Sequence, residues 1–429
     1  MERLKQYLGR VPDASRFPTL PEIEDRLRRI HARHPETTAL KVIGTSRGGR
    51  PLTMLSVGVG VARGDRHAVV TGMPHPNEPT GTLGALALGD LLAADPSLVE
   101  ELGLVWHLVP CVDPDGAALN YGWYGGPYTR RHYAEHIYRP PFPEQYEWTF
   151  RRPDLDPPGL EPIPESAAVA AVIDELRPTL LITMHNGETG GLFAYVTHDL
   201  PGLVDGLGET GEATGLPIHG GPPELDVHVL GRGLFQMAEP AGGMLSSTEY
   251  ALPYGTVGVV QEPPMWIHPA IADDSLSDQT LRQVHEAAQA ARADLAVRMA
   301  GWVAVIRAHH DLNTTRGRGV LEQLRYVQHL NAGPEPSLES ADQRCTVGYA
   351  RSVAEDVLLD TLRCAGHLAA LLRDESKRSP LNPEVAGVLG QVSNTLAASA
   401  EQESGLTFVG LGPAVRAHVG MALTTAALL

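Results

Sequence analysis

The sequence predicts an α/β fold, a mixed, largely parallel sheet flanked by helices, followed by a helical C-terminal region. Two observations carry this. Through the first half, short apolar runs alternate with segments of helical period, the pattern of a parallel or mixed sheet covered by helices. From about Ser275 the texture changes to long Ala/Leu/Val patterns at helical period.

The elements run in order along the chain. PEIEDRLRRIHARHP places Ile23, Leu27 and Ile30 at helical spacing and stops at a proline. TALKVIGTS and RPLTMLSVGV are strand-like and are joined by SRGGR, whose paired glycines suit a hairpin turn. HAVVTGM predicts a buried strand and TGTLGALALGDLLAAD a helix; LVWHLVPCV predicts a strand ending at the turn Asp113-Pro114-Asp115-Gly116. Residues 120–165 are rich in Pro, Tyr and Arg and predict a long ordered functional loop. ESAAVAAVIDELRP predicts a helix, TLLITM a strand, residues 198–250 a glycine-rich loop region and TVGVVQ a last strand. The C-terminal patterns break near Asn313 and again at NAGPEPS, residues 331–337. Two regions are expected, 1–312 as the sheet domain and 313–429 as the helical region.

Composition narrows the function. The chain has 429 residues, 43% of them hydrophobic, enough for a sizeable core. Its formal net charge of −17, with basic residues scattered, argues against nucleic acid or an anionic membrane as partner. The N-terminal stretch MERLKQYLGRVPDASRFP lacks the apolar core of a signal peptide, and no apolar run is long enough to span a bilayer. Cys111, Cys345 and Cys364 are far apart and at no metal-like spacing. They read as buried thiols in a reducing compartment, and the cytoplasm is the expected location.

Chemistry concentrates at strand ends. His75 and Glu78 follow HAVVTGM, His185 follows TLLITM and Glu262 follows TVGVVQ. If these strands run side by side in one direction, the four side chains meet along one edge, where ligands of open α/β sheets collect. Two imidazoles and one carboxylate form a common catalytic zinc set with a fourth position open to water. Pro76 and Pro79 stiffen the turn that carries the first two. Glu262 remains as the carboxylate able to take a proton from water and pass it to a leaving nitrogen. With 18 histidines in the chain, any one alone is a weak signal; the shared position at strand ends gives the set its weight.

In these motifs the chain resembles the M14 family of zinc carboxypeptidases. PTLPEIEDRLRRIHARHP followed by VIGTSRGGRPLTMLSVG resembles the family's helix and hairpin, and GMPHPNEPTG its first metal motif. VPCVDPDG resembles its N-P-D-G turn, with Asp113 in place of asparagine, and LLITMHNG the strand bearing the second histidine. SSTEYALPYGTVGVVQE resembles the stretch from the mobile tyrosine to the catalytic glutamate. The resemblance covers roughly residues 20–270 and makes 1–312 an M14-like catalytic domain. It implies a Zn2+ cofactor held by His75, Glu78 and His185, with Glu262 as general base and acid. It also implies that Arg130 or Arg131 polarises the scissile carbonyl and that Tyr250, with Tyr254 second, is the family's tyrosine.

Departures bear on the substrate. The family's Asn-Arg pair that grips a terminal carboxylate is missing; the corresponding stretch reads PPFPEQYEWTFRR, and Asn77 stands where HxxE often holds arginine. Arg139, Arg151 or Arg152 are candidate substitutes, and Glu144 and Glu147 are candidates for receiving a cationic group, although two exposed loop glutamates is the plainer reading. The expected function is zinc-dependent cleavage of a peptide or amide bond, carboxypeptidase-like on a specialised substrate. The alternatives are a small-molecule amidase or deacylase on the same site, or a catalytically inactive binding protein.

Overall fold

The structure is a computed structural model that describes residues 1–429 except 63–64, 223–226, 239, 241–242, 333–341 and 403–404. The chain forms two compact units. The first comprises Met1–Tyr121, Phe142–Met265 and Val409–Leu429, and the second Gly122–Pro141 and Trp266–Phe408.

The first unit is built on a nine-stranded mixed sheet. Its strands are β1 (Thr38–Thr45), β2 (Pro51–Val57), β3 (His67–Gly72), β4 (Val105–Val109), β5 (Leu180–Met184), β6 (Phe193–Val196), β7 (His228–Gly231), β8 (Leu234–Gln236) and β9 (Val257–Glu262). Their order is β1-β2-β4-β3-β5-β9-β6-β8-β7. The four central strands β4, β3, β5 and β9 run parallel, and the antiparallel pairs lie toward the edges. All five residues of β5 are buried, as expected for a strand covered on both faces. Helix Leu20–Arg33 forms at the predicted place, with Ile23, Leu27 and Ile30 buried and a capping box from Thr19 and Glu22.

The loop region expected at 198–250 contains helix Leu203–Thr214 and strands β7 and β8. Those strands have four and three residues. Such short strands leave too few positions for an alternation signal.

Helix Thr80–Ala93 buries every residue except Asp90 and carries the chain away from β3. The last helix, Leu411–Ala427, is apolar around most of its circumference, as a helix buried on all sides must be. It packs on Thr80–Ala93 and on Leu203–Thr214.

The second unit is helical. Leu281–Arg307, Thr315–Ala332, Val347–Arg378 and Pro383–Glu401 enclose a core that includes Met299, Ile306, Leu362, Leu368 and Val392. Helix Arg130–His136, inside the segment expected to be irregular, joins this core through Ala134. Gly366 permits the approach, because a Cβ there would lie 1.7 Å from the Ala134 carbonyl oxygen. The units therefore do not divide at the expected 312/313 boundary. The helical unit begins at Trp266, recruits residues 122–141 and releases the last helix to the sheet unit. The break expected at NAGPEPS falls mostly outside the described residues. Among the described residues no single helix is long and apolar enough to cross a membrane.

Candidate metal centre

Register brings the site together. Gly72 pairs with Met184, and Met184 pairs with Gln261, so three adjacent parallel strands end level with one another. Met73, just past β3, is buried and sits at φ +58°, a left-handed conformation that non-glycine residues seldom adopt. It turns the chain sharply into His75-Pro76-Asn77-Glu78. The Glu78 N–H donates to the His75 carbonyl at 2.9 Å, closing a turn with proline at its second position. On the neighbouring strand the His185 N–H donates to the Gln261 carbonyl at 3.0 Å.

The result is a buried donor set. His75, Glu78 and His185 are 3%, 5% and 5% exposed, and one ligand atom from each lies within 4.8 Å of the others. His185 Nδ1 is 2.9 Å from Glu78 Oε2, and the two imidazole rings are 5.1 Å apart, centroid to centroid. Glu262 Oε1 is 3.8 Å from the same His185 Nδ1, and its side chain is 14% exposed. Two imidazoles and a carboxylate suit a divalent metal of the zinc type. Trp148 stands beside the site, its ring 6.1 Å from that of His75. Asn77 donates to Glu188 Oε1 at 3.2 Å.

The other expected site residues have partners of their own. Arg130 belongs to the second unit, where its side chain is fully buried; it pairs with the Glu355 carboxylate and donates to the Glu355 carbonyl at 2.8 Å. Arg131 is half-exposed and pairs with Glu135, one helical turn on, at 3.2 Å. Tyr250 donates to both oxygens of Asp174 at 2.9 and 3.0 Å, and Tyr254 to the same carboxylate at 2.7 Å. Tyr250 also lines a cavity of about 240 Å³ with Phe150, Arg151, Ser166 and Asp174.

The loop arginines are likewise engaged. Arg151 pairs with Glu161, and Arg152 pairs with Asp154 at 2.5 Å and donates to the Glu249 carbonyl at 3.2 Å. Arg139 lies in the second unit. Glu144 is 3.7 Å from Arg47. Glu147 is not the exposed loop glutamate expected. It is 2% exposed, and burial, with Glu249 and Glu78 nearby, pushes its carboxyl well above the usual range.

The two motifs upstream of the site are tied to each other. Asp113 caps helix Pro114–Leu119 by accepting from the Gly116 N–H at 2.8 Å, the bond an asparagine side chain would also make. Asp115 accepts from the Gly48 N–H of the hairpin turn at 2.6 Å. Arg47 in that turn reaches Asp113 at 3.8 Å and Glu165 at 3.2 Å. Burial of Asp113 pushes its carboxyl up to about 6, against the opposing effects of the Gly116 bond and Arg47.

Sequence reasoning missed the residues behind the metal set, namely Thr80, Asn186, Gln261 and His418. The first three lie within two positions of strand-end residues already singled out. His418 is a lone imidazole in AVRAHVGMA, a stretch that is apolar apart from it and Arg416, and nothing further in the sequence marked it.

Residues 23–210 match the family model for zinc carboxypeptidase, peptidase M14, a stretch that includes His75, Glu78 and His185 and ends before Glu262. The resemblance read from the motifs holds over that stretch. Among solved structures the chain is similar to carboxypeptidase A from Helicoverpa armigera, with 12% identity, a TM-score of 0.39, and coverage of 62% of this chain and 71% of that one. It is also similar to a metallo-carboxypeptidase from Burkholderia cenocepacia, at 18% identity and a TM-score of 0.38, covering 58% and 60%. A third is murein-tripeptide amidase from Escherichia coli O157, at 17% identity and a TM-score of 0.31, covering 55% and 87%. No curated protein matches the chain by sequence.

Proposed function

We propose that the chain is a zinc-dependent hydrolase that cleaves a peptide or amide bond. The observation that carries this reading is the buried set of His75, Glu78 and His185 at the ends of adjacent parallel strands, with the Glu262 carboxylate 3.8 Å from His185. His75, Glu78 and His185 would hold the ion. A zinc ion held there would supply Lewis acidity toward the substrate carbonyl and a water pKa lowered to about 7 in the best cases.

The chain's own residues do the rest. Glu262 is the only member of the group with a partly open carboxylate, so it can face both water and substrate. It accepts the proton from the attacking water and returns it to the leaving nitrogen. The three donors are buried, which keeps bulk water from them, and the Trp148 ring stands beside His75.

Substrate choice turns on the loop leading to Arg152. Arg151 and Arg152 are committed to Glu161 and Asp154, so neither stands ready to clamp a terminal carboxylate in the usual bidentate way. This favours a specialised peptide, or an amide-linked small molecule, over general C-terminal trimming. The cytoplasm is the location we propose, a reading supported by three free, buried cysteines.

Metal analysis tests the core of the reading. The wild-type chain is expected to hold one zinc, and His185→Ala to hold none. Glu262→Gln keeps the shape and removes the base, so zinc content persists while turnover falls by about 10² or more. Undiminished zinc in the first variant, or near-normal turnover in the second, would refute the assignment of that residue.

A further inference from the structure

We infer that His418, on the last helix, is a positioning residue that holds the metal-bearing loops in register through Thr80 and Gln261. The inference rests on the zinc reading above.

His418 has no exposed surface and sits in the last helix, where Ala417, Val419 and Ala422 are buried as well. An imidazole buried there is costly unless both ring nitrogens find partners. Both do. Nε2 lies 3.4 Å from Thr80 Oγ1, and Nδ1 lies 3.0 Å from the Gln261 side-chain amide.

The two ends agree on one tautomer. Thr80 Oγ1 donates to Asn186 Oδ1 at 2.7 Å, so toward the ring it must accept, which puts the proton on Nε2. The Gln261 amide is satisfied at both ends when its nitrogen donates to His418 Nδ1 and its oxygen accepts from the Ala422 N–H at 3.2 Å, which leaves Nδ1 bare. With Nε2–H donating to Thr80 and Nδ1 accepting from Gln261, both ring nitrogens are occupied in holding the loops, and the contribution of His418 is geometric.

The partners explain what is held. Thr80 is two residues past Glu78 and opens helix Thr80–Ala93. Asn186 follows His185, and Gln261 precedes Glu262 while its carbonyl accepts the His185 N–H at 3.0 Å. One ring thus joins three segments, each adjacent to a residue of the metal site. The helices meet closely enough for this only because residue 84 is glycine: a Cβ there would lie 2.7 Å from His418 Cβ. A leucine at 418 would fill much of the same space without joining anything.

The test uses the full chain, zinc as the probe and a chromogenic chelator as competitor, with the absorption spectrum of the cobalt-substituted protein as a second readout. His418→Leu is expected to weaken zinc binding by about tenfold, the lower end of what loss of an outer hydrogen-bond partner costs a metal site. It should also change the cobalt spectrum. His418→Gln, able to donate to Thr80, should recover most of the affinity. Thr80→Val should weaken binding comparably, and adding it to His418→Leu should cost little more, because both cut the same link.

A folded His418→Leu with wild-type zinc affinity and an unchanged cobalt spectrum would overturn the inference and make His418 an ordinary core residue. Should His418→Leu fail to fold, Thr80→Val decides in the same way. A wild-type chain that takes up no zinc would sink the hydrolase reading and this inference with it. Wild-type zinc uptake with indifferent variants would sink this inference alone.

Discussion

Replacing Arg130 with methionine distinguishes a structural arginine from a catalytic one. Its guanidinium is fully buried, and Glu355 is 2% exposed. The substitution removes a buried ion pair together with the hydrogen bond to the Glu355 carbonyl at 2.8 Å. Removing one partner of a buried pair costs about 3–5 kcal/mol, because the other charge is left in a low dielectric. Glu355 keeps a second cation, Arg351, whose side chain is 31% exposed, so the lower end applies, about 3 kcal/mol. In urea this is a midpoint lower by about 1 M or more for a unit of this size. Hydrogen exchange should speed up along helix Val347–Arg378, which carries Glu355. Removing both charges, as Arg130→Met with Glu355→Leu, should regain most of the loss, since a buried pair exchanged as a pair for apolar groups is close to neutral. Arg351 then turns its head to water. Far-ultraviolet circular dichroism in urea reads the midpoint. A wild-type midpoint and exchange pattern in Arg130→Met, with activity lost, would refute the structural assignment and restore Arg130 to the chemistry.

Two other outcomes follow from the same geometry. Asp113→Asn keeps the cap on Gly116 and removes the buried charge. The native carboxyl titrates near 6, above its ordinary 3.8, so the native state binds more protons between those values and this group's contribution falls as pH rises through them. The variant should therefore gain on wild type between pH 4 and pH 7, by at most about 3 kcal/mol at 1.36 kcal/mol per pH unit; urea midpoints at both pH values showing no such divergence would contradict it. For specificity, kcat/KM on blocked dipeptides as free acids and as amides should show poor turnover of ordinary free acids. Efficient, broad cleavage of the acids with the amides inert would mean that carboxylate recognition survives through other residues.

The four residues at the strand ends were legible because the signal is local and repeated. Each of β3, β5 and β9 announces itself by an apolar run, and each run leads directly into a metal-type or acidic residue: His75 and Glu78 after β3, His185 after β5, and Glu262 closing β9. Parallel pairing then supplies proximity that no sequence spacing displays. The resemblance to a family located the hairpin and the DPDG turn, and the structure adds that Gly48 and Asp115 bind each other. Arg130 was not legible in the same way. Its distance from the turn matched a pattern, but nothing local says which way its guanidinium points, and Gly366 draws that helix into the second unit.

By itself the sequence determined the central strands, the helix on Leu20–Arg33, the helical C-terminal texture and the residues that end each strand. Periodicity and strand-end position are short-range properties, encoded by neighbours in the chain. Tertiary structure alone decided which strands adjoin, that residues 122–141 leave the sheet unit, that Glu147 is buried, and that His418 reaches Gln261 from 157 positions away. Those outcomes depend on which surfaces exclude water from each other, and on whether a glycine lets two backbones close. Such contacts are set by the packed whole rather than by any window of the chain.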